Sequence, residues 1–186
     1  MRKKLHSALT QHKKIGVVVQ RSLIVDLIRT LVGRNIRVGT LKHSAHIHEL
    51  DKPGKDSFHH RTAGASPVTV VTEEMTAVYL PRTPDTTPER ILETYYSHVD
   101  LVLIEGWISG PFQKIEVYRE AIGRPPLFTG LEYMKAVVSD DSTGKTDLLV
   151  FPRSDVESLA DFLLPLMGEF YPDQVGLPSP RNKGAP

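Results

Sequence analysis

A chain of 186 residues, 40% of them apolar and 24% charged, is long enough to bury one core without disulfide or metal staples and reads as one soluble globular domain. It has no cysteine, which excludes disulfides, thiolate metal sites and cysteine nucleophiles together. Its 23 basic and 22 acidic residues leave a net charge of +1, so no overall field gathers nucleic acid. No apolar run approaches the ~20 residues of a membrane span, and the basic start MRKKLHSALTQHKK lacks the apolar core of a secretory signal. The expectation is a cytoplasmic protein without membrane or nucleic-acid contacts.

Ile15 to Val19 (IGVVV) are β-branched or small and uninterrupted, the pattern of a strand buried on both faces. A helix follows at once, with Leu23, Ile24, Leu27, Ile28 and Leu31 at three- and four-residue spacing and GRN at 33 to 35 as its stop. IRVGTLKH returns as a second strand, and such a strand–helix–strand unit is the right-handed crossover of a parallel sheet. His43 to Ala65 then form a long polar loop rich in His, Asp and Lys, with a helix from Ser57. Pro67 to Thr72 and Met75 to Leu80, separated by two glutamates, predict an antiparallel pair. Thr87 and Pro88 open a helix as N-cap and first helical residue. Asp100 to Trp107 (DLVLIEGW) are the next buried strand, Lys114 to Arg119 alternate, Lys135 to Asp141 are apolar with acids at the end, and Leu148 to Phe151 are a short last strand. SDVESLADFLLPLM closes as a helix, with Ser154 and Glu157 at capping-box spacing. Pro, Gly and charge dominate the C-terminal tail, which predicts disorder.

Alternating helices and buried strands imply an α/β layered domain with a mostly parallel sheet, whose ligands sit outside the carboxyl ends of the strands. Those ends carry Gln20 to Ser22, Lys42 to His48, Glu105 with Gly106, and Ser139 to Asp141. Glu105 ends an apolar strand and has two readings, a magnesium-positioning carboxylate or an ordinary strand-end acid paired with a nearby Lys. DKPGKD, residues 51 to 56, is either a solvated Pro-Gly turn or a loop bringing Asp51, Asp56, Lys52 and Lys55 to phosphate and metal. His43, His46, His48, His59 and His60 supply enough imidazole for a metal site, but at spacings that match no zinc motif. Gly144-Lys145-Thr146 imitates the end of a phosphate loop. Ser139 stands where the motif needs its first glycine, and a strand follows where it needs a helix, so the tripeptide reads as a turn. Trp107 is read either as a ring-stacking residue or as core.

RVGTLKHSAH, LDKPGKDSFHHRTAGA, DLVLIEGW followed by KIEVYR, and AVVSDD stand in the order and spacing of the MobB family, the molybdopterin-guanine dinucleotide biosynthesis B proteins, which the chain resembles over about residues 15 to 165. The resemblance implies a P-loop-NTPase-like three-layer fold, with residues 1–14 as a basic N-terminal segment, 15–168 as the domain and 169–186 as the tail. It implies an accessory or adaptor role in molybdenum-cofactor biosynthesis, with GTP and magnesium as cofactors and molybdopterin as a further ligand. Its implied partners are a molybdopterin guanylyltransferase or a molybdoenzyme, in a homodimer. By this resemblance the nucleotide and phosphate candidates are Lys42, His43, Lys55 and Asp140, the last as a guanine contact, and the magnesium candidates are Asp51, Asp56 and Glu105; Arg21 and Ser22 join the phosphate candidates through their place at the start of the first helix.

One departure from the family pattern is large. MobB proteins carry a glycine-rich phosphate loop ending in Gly-Lys-Thr-Thr before the first helix, and here Val19, Gln20, Arg21 and Ser22 fall at those places. No lysine and no glycine cradle remain. The expectation is an adaptor in which the phosphate loop is deleted and GTP is not turned over. The alternatives are a GTPase with a non-standard phosphate site and a histidine-rich metallochaperone of the same fold class.

Overall fold

The computed structural model describes residues 13–18, 21–44, 46 and 48–166, with the side chains of residues 13–18, 21 and 22 outside the description. The expected basic N-terminal segment (apart from Lys13 and Lys14) and the C-terminal tail lie outside the described residues, as do Ala45 and Ile47. In chain order the elements are β1 (Lys13–Val18), α1 (Arg21–Gly33), β2 (Val38–Lys42), α2 (Asp56–Thr62), β3 (Val68–Val71), β4 (Thr76–Tyr79), α3 (Pro88–Tyr95), β5 (Leu101–Glu105), β6 (Gln113–Val117), a 3-10 turn at Glu120–Ile122, β7 (Met134–Val138), β8 (Leu149–Phe151) and α4 (Val156–Leu166). β1 begins two residues before the strand expected from its apolar run.

Six strands pair in the order β2-β5-β1-β6-β7-β8, every neighbouring pair parallel. β3 and β4 form a separate antiparallel hairpin. The inferred α/β crossover architecture is therefore observed, with helices on both faces of the sheet. β5 shows why. Leu101 and Leu103 point into one core with Leu23, Leu27 and Leu31 of α1 and Leu159, Ala160 and Leu163 of α4. Val102 and Ile104 point into the other, with Leu41, Phe112 and Leu92 of α3. Successive strand side chains face opposite ways, so a strand covered on both sides must be apolar at every position.

Polar groups fasten the layers. Arg34 at the end of α1 reaches Asp161 (2.6 Å) and Glu157 on α4, and these hydrogen bonds, Glu157 first, raise its pKa. Arg37 donates from its backbone N–H (2.9 Å), its Nε (2.9 Å) and its Nη2 (2.7 Å) to the Asp100 carboxylate, joining the starts of β2 and β5. Gly39 is required by packing, because a Cβ there would lie 2.6 Å from the Tyr96 ring, whose hydroxyl donates to the Thr40 carbonyl at 2.6 Å. Burial raises the pKa of the Tyr96 phenol.

Two expectations need correction. The alternation in β6 suggested one wet face, yet all five of its residues are buried. Lys114, 3% exposed, donates to the carbonyls of Gly110 (2.7 Å), Phe112 (3.1 Å) and Glu132 (3.3 Å), and desolvation lowers its pKa. Glu116 accepts from the backbone N–H groups of Leu127 (3.0 Å) and Phe128 (2.7 Å). These charges are buried because each is surrounded by backbone partners. At α4 the capping residue is Asp155, which accepts from the Ser158 N–H at 3.1 Å, instead of Ser154. Glu157 is turned to Arg34. Thr87 caps α3 as expected, accepting from the Arg90 N–H at 3.3 Å.

Because α1 is held chiefly through its buried stripe, Leu27→Ala should cost about 3 kcal/mol by urea denaturation, and Val32→Ala, on the exposed side of the same helix, less than about 1 kcal/mol. Equal losses at the two positions would contradict this packing.

Candidate functional site

In an all-parallel sheet the carboxyl ends of the strands share one rim. β2 and β5 align Lys42 with Glu105, and the Lys42 Nζ donates to Glu105 Oε1 at 3.0 Å. The His43 N–H continues the ladder to the Glu105 carbonyl at 2.8 Å. At Gly106, where φ is +84°, an added Cβ would sit 2.5 Å from the His43 carbonyl oxygen, so the strand can leave the sheet here only through glycine. Trp107 then stacks on the His43 ring, with centroids 4.7 Å apart and planes at 26°, and packs against the α3-side core. Trp107 is thus partly core, and the ring it meets is that of His43. Of the two readings of Glu105, the structure displays the pairing with a nearby Lys.

The loop after β2 is built by its own side chains. Asp51 is buried, its Oδ1 accepting from the Lys52 N–H (2.8 Å) and the Ser57 hydroxyl (3.1 Å). Glu49 accepts from the Asp51 N–H at 2.9 Å and from the Arg61 guanidinium. That guanidinium lies over the rings of Phe58 and Tyr79. Burial, and then the Asp51 charge, raise the pKa of the Tyr79 phenol. Lys52, Lys55 and Asp56 face solvent, and Lys55 precedes α2 without a side-chain capping bond. Among the described residues no hydrogen bond or ion pair joins this loop to Lys42 or Glu105, and no three or more His, Asp or Glu side chains are grouped to hold a metal.

Asp140 shares the rim but follows β7, three strand positions from β5, or about 14 Å at ~4.8 Å per strand. Its Oδ1 accepts from the Arg153 N–H at 2.8 Å, and the neighbouring Asp141 accepts from the Glu120 N–H at 3.0 Å. Each acid thus holds a connection in place. Gly144, Lys145 and Thr146 lie in the irregular segment before β8. The expected convergence of Lys42, Asp51, Lys55, Asp56, Glu105 and Asp140 is met by direct contact only for Lys42 with Glu105.

At the nucleotide end of such a fold, β1 stops at Val18 and α1 starts at Arg21. Val19 and Gln20, with the Arg21 and Ser22 side chains, lie outside the described residues. Two residues are all that separate strand from helix, no glycine occurs between Gly16 and Gly33, and no lysine between Lys14 and Lys42. A phosphate cradle needs glycines for close backbone approach and an ammonium for the outer phosphates. The sequence from Val18 to Ser22 supplies neither.

On the α3 side of the rim opens a cleft of about 1120 Å³ between the edge strand β2, α3 and the segment after β4. Leu41 and Ile91 contribute apolar lining, Lys42 and His43 come from β2 and its end, and Arg82 and Arg90 come from the segment after β4 and from α3. The sequence reading missed both arginines. The available signal was Arg90 beside Ile91, on the flank of the apolar face of α3.

Residues 18–140 match the family described as molybdopterin guanine dinucleotide synthesis protein B. A relative from Escherichia coli K12, named molybdopterin-guanine dinucleotide biosynthesis adapter protein, is 33% identical over 153 residues, covering 78% of this chain and 85% of its own. A protein of the same name from Haemophilus influenzae Rd is 33% identical over 144 residues, covering 76% and 79%. The crystal structure of a molybdopterin-guanine biosynthesis protein B superposes with a TM-score of 0.65 at 25% identity, over 82% of this chain and 99% of that one. Bacillus subtilis MobB has the same fold, with a TM-score of 0.64 at 22% identity over 84% and 99%.

Gly106→Ala should lower stability by about 2 kcal/mol or more, and Gly54→Ala, at a similar φ but in open space, by about 1 kcal/mol. A loss at Gly106 no greater than at Gly54 would show that the His43 contact is not tight. Glu49 supplies a pH test, because its carboxyl is held below the ordinary 4.5 by the Arg61 hydrogen bond first and the Asp51 N–H next. The folded chain binds this proton less tightly than the unfolded one. The contribution is therefore whole above about pH 4.5 and fades as pH falls through the lowered value. Urea midpoints between about pH 5 and pH 3 should fall less steeply for Glu49→Gln than for the parent, and identical slopes would contradict the pairing.

Proposed function

The chain belongs to the MobB family, and from that premise we propose that it is an adapter protein of molybdopterin guanine dinucleotide biosynthesis that acts by docking, without nucleotide turnover. The observation that carries this reading is the β1–α1 junction, two residues long and without glycine or lysine. Phosphoryl transfer draws most of its acceleration from positioned cations and backbone N–H groups around the phosphates. A junction that lacks them keeps the fold and loses the catalyst. The relatives named as adapter proteins support the same reading.

In this reading the partner is the guanylyltransferase of the pathway or a molybdoenzyme, the protein works as a homodimer, and it resides in the cytoplasm. Among the described residues no helix is long and apolar enough to cross a membrane. Support for self-association comes from the β3–β4 hairpin, which stands outside the main sheet with Val71, Met75, Val78 and Leu80 exposed on or beside it. A two-stranded ribbon is marginal alone and gains stability when such side chains are covered.

Two measurements test the proposal. Magnesium-dependent GTP hydrolysis at high protein concentration should not exceed the buffer rate, and sustained turnover that is abolished in Glu105→Ala would overturn the non-catalytic reading. Pull-down with the tagged guanylyltransferase and with a molybdoenzyme should recover a complex with one of them, and failure with both would overturn docking.

A further inference from the structure

Where the loop after β2 meets the β3–β4 hairpin, Asp51 Oδ2 and Arg61 Nε are both buried without a hydrogen-bond partner among the described residues. Asp51 is only 6% exposed, and its other oxygen already accepts from the Lys52 N–H and the Ser57 hydroxyl. A carboxylate oxygen shut away from both water and donors is costly, and such an orphan calls for a physical reason. The Tyr79 phenol of β4 faces this carboxylate, whose charge, after burial, raises its pKa. A phenol is a donor, and Oδ2 is an acceptor in want of one.

Arg61 holds the phenol in that place. Its guanidinium pairs with Glu49 of the loop and lies over two rings, 5.7 Å from the centroid of Phe58 on α2 and 6.0 Å from that of Tyr79. Three stretches of chain therefore meet at one cation. The hairpin itself is lightly held, since β3 and β4 pair only with each other among the described strands and Val68 is the one buried residue in the two. A two-stranded ribbon with so little core beneath it shifts as a unit at small cost, whereas the loop is fixed by its own side-chain hydrogen bonds.

We propose that Tyr79 is a latch between the β3–β4 hairpin and the loop after β2, its hydroxyl donating to the free Asp51 Oδ2 in a closed form of the hairpin and releasing it in an open form. The arrangement with Oδ2 unpartnered is the open form. Val71, Met75, Val78 and Leu80 are exposed on or beside the same hairpin, so whatever covers them biases the latch and is felt at the loop. The inference goes beyond the adapter reading and does not rest on it, since the latch is measured in the protein alone.

Hydrogen exchange followed by mass spectrometry on the full chain reads residues 49–57 and 68–79 separately. Tyr79→Phe removes the hydroxyl and keeps the ring that Arg61 covers. With native circular dichroism retained, it should speed exchange in both segments at least about threefold, whereas Tyr95→Phe, an exposed phenol on α3, should change neither. Ser57→Ala reads the coupling from the other side, because it takes a donor from Asp51 without touching the hairpin. Alone it should speed exchange in the hairpin at least about threefold, and in the Tyr79→Phe background it should add nothing there, the latch being already lost. Three results would overturn the proposal: either segment exchanging at the parent rate in Tyr79→Phe, a Ser57→Ala effect that never reaches the hairpin, or one that reaches it undiminished when the Tyr79 hydroxyl is absent.

Discussion

β5 is the constraint from which the rest of the molecule follows. Helices cover it on both faces, α1 and α4 through Leu101 and Leu103, α3 through Val102 and Ile104, and it pairs along both edges, with β2 and β1. Nothing polar can be placed along it until it leaves the sheet. Glu105 is the first residue at which that condition relaxes, and Gly106 is the turn that the close His43 carbonyl imposes. Lys42 meets Glu105 because register fixes the two residues side by side. His43 and Trp107, one and two residues beyond that pair, are consequently stacked at the mouth of the cleft. The rim chemistry is thus set by where the buried strand ends.

Much of this was legible in the sequence. Continuous apolar runs gave the central strands, three- and four-residue spacing gave α1, and the Thr87-Pro88 pair gave the start of α3, because each signal is local or repeats with the period of its element. The abrupt passage from IGVVV into the helix was equally plain, since a missing loop is a matter of residue count. The matches to MobB proteins and the parallel sheet agree with these readings.

What stayed hidden depended on distant partners. DKPGKD has the composition of a solvated turn, and nothing within it announces that Asp51 is buried against Ser57, or that Glu49 and Arg61 brace the loop from twelve residues apart. Lys114 and Glu116 look like the wet positions of an alternating strand. They are buried because the carbonyls of residues 110, 112 and 132 and the N–H groups of residues 127 and 128 gather around them. Backbone partners of this kind are invisible to any pattern of side-chain types. Arg82 and Arg90 escaped notice for a related reason, since a shared cleft joins them and no spacing does.

The placement of the remaining cations bears on how far the fold has moved from nucleotide chemistry. A phosphate loop would stand at the end of β1, and β2, which borders the cleft, is two strand positions away in the order β2-β5-β1, about 10 Å at ~4.8 Å per strand. Glu105 and its partner Lys42 lie between the two places. Lys42 has a carboxylate to hold, which leaves Arg82 and Arg90 as the positive groups without an ion-pair partner among the described residues lining that cleft. These arginines come from α3 and the segment before it, so they cannot restore the cradle, whose N–H groups must come from the backbone entering α1. Binding and turnover, served by one loop in a working phosphate-loop protein, draw on different groups: cations suffice to attract an anion, whereas turnover needs the backbone cradle as well.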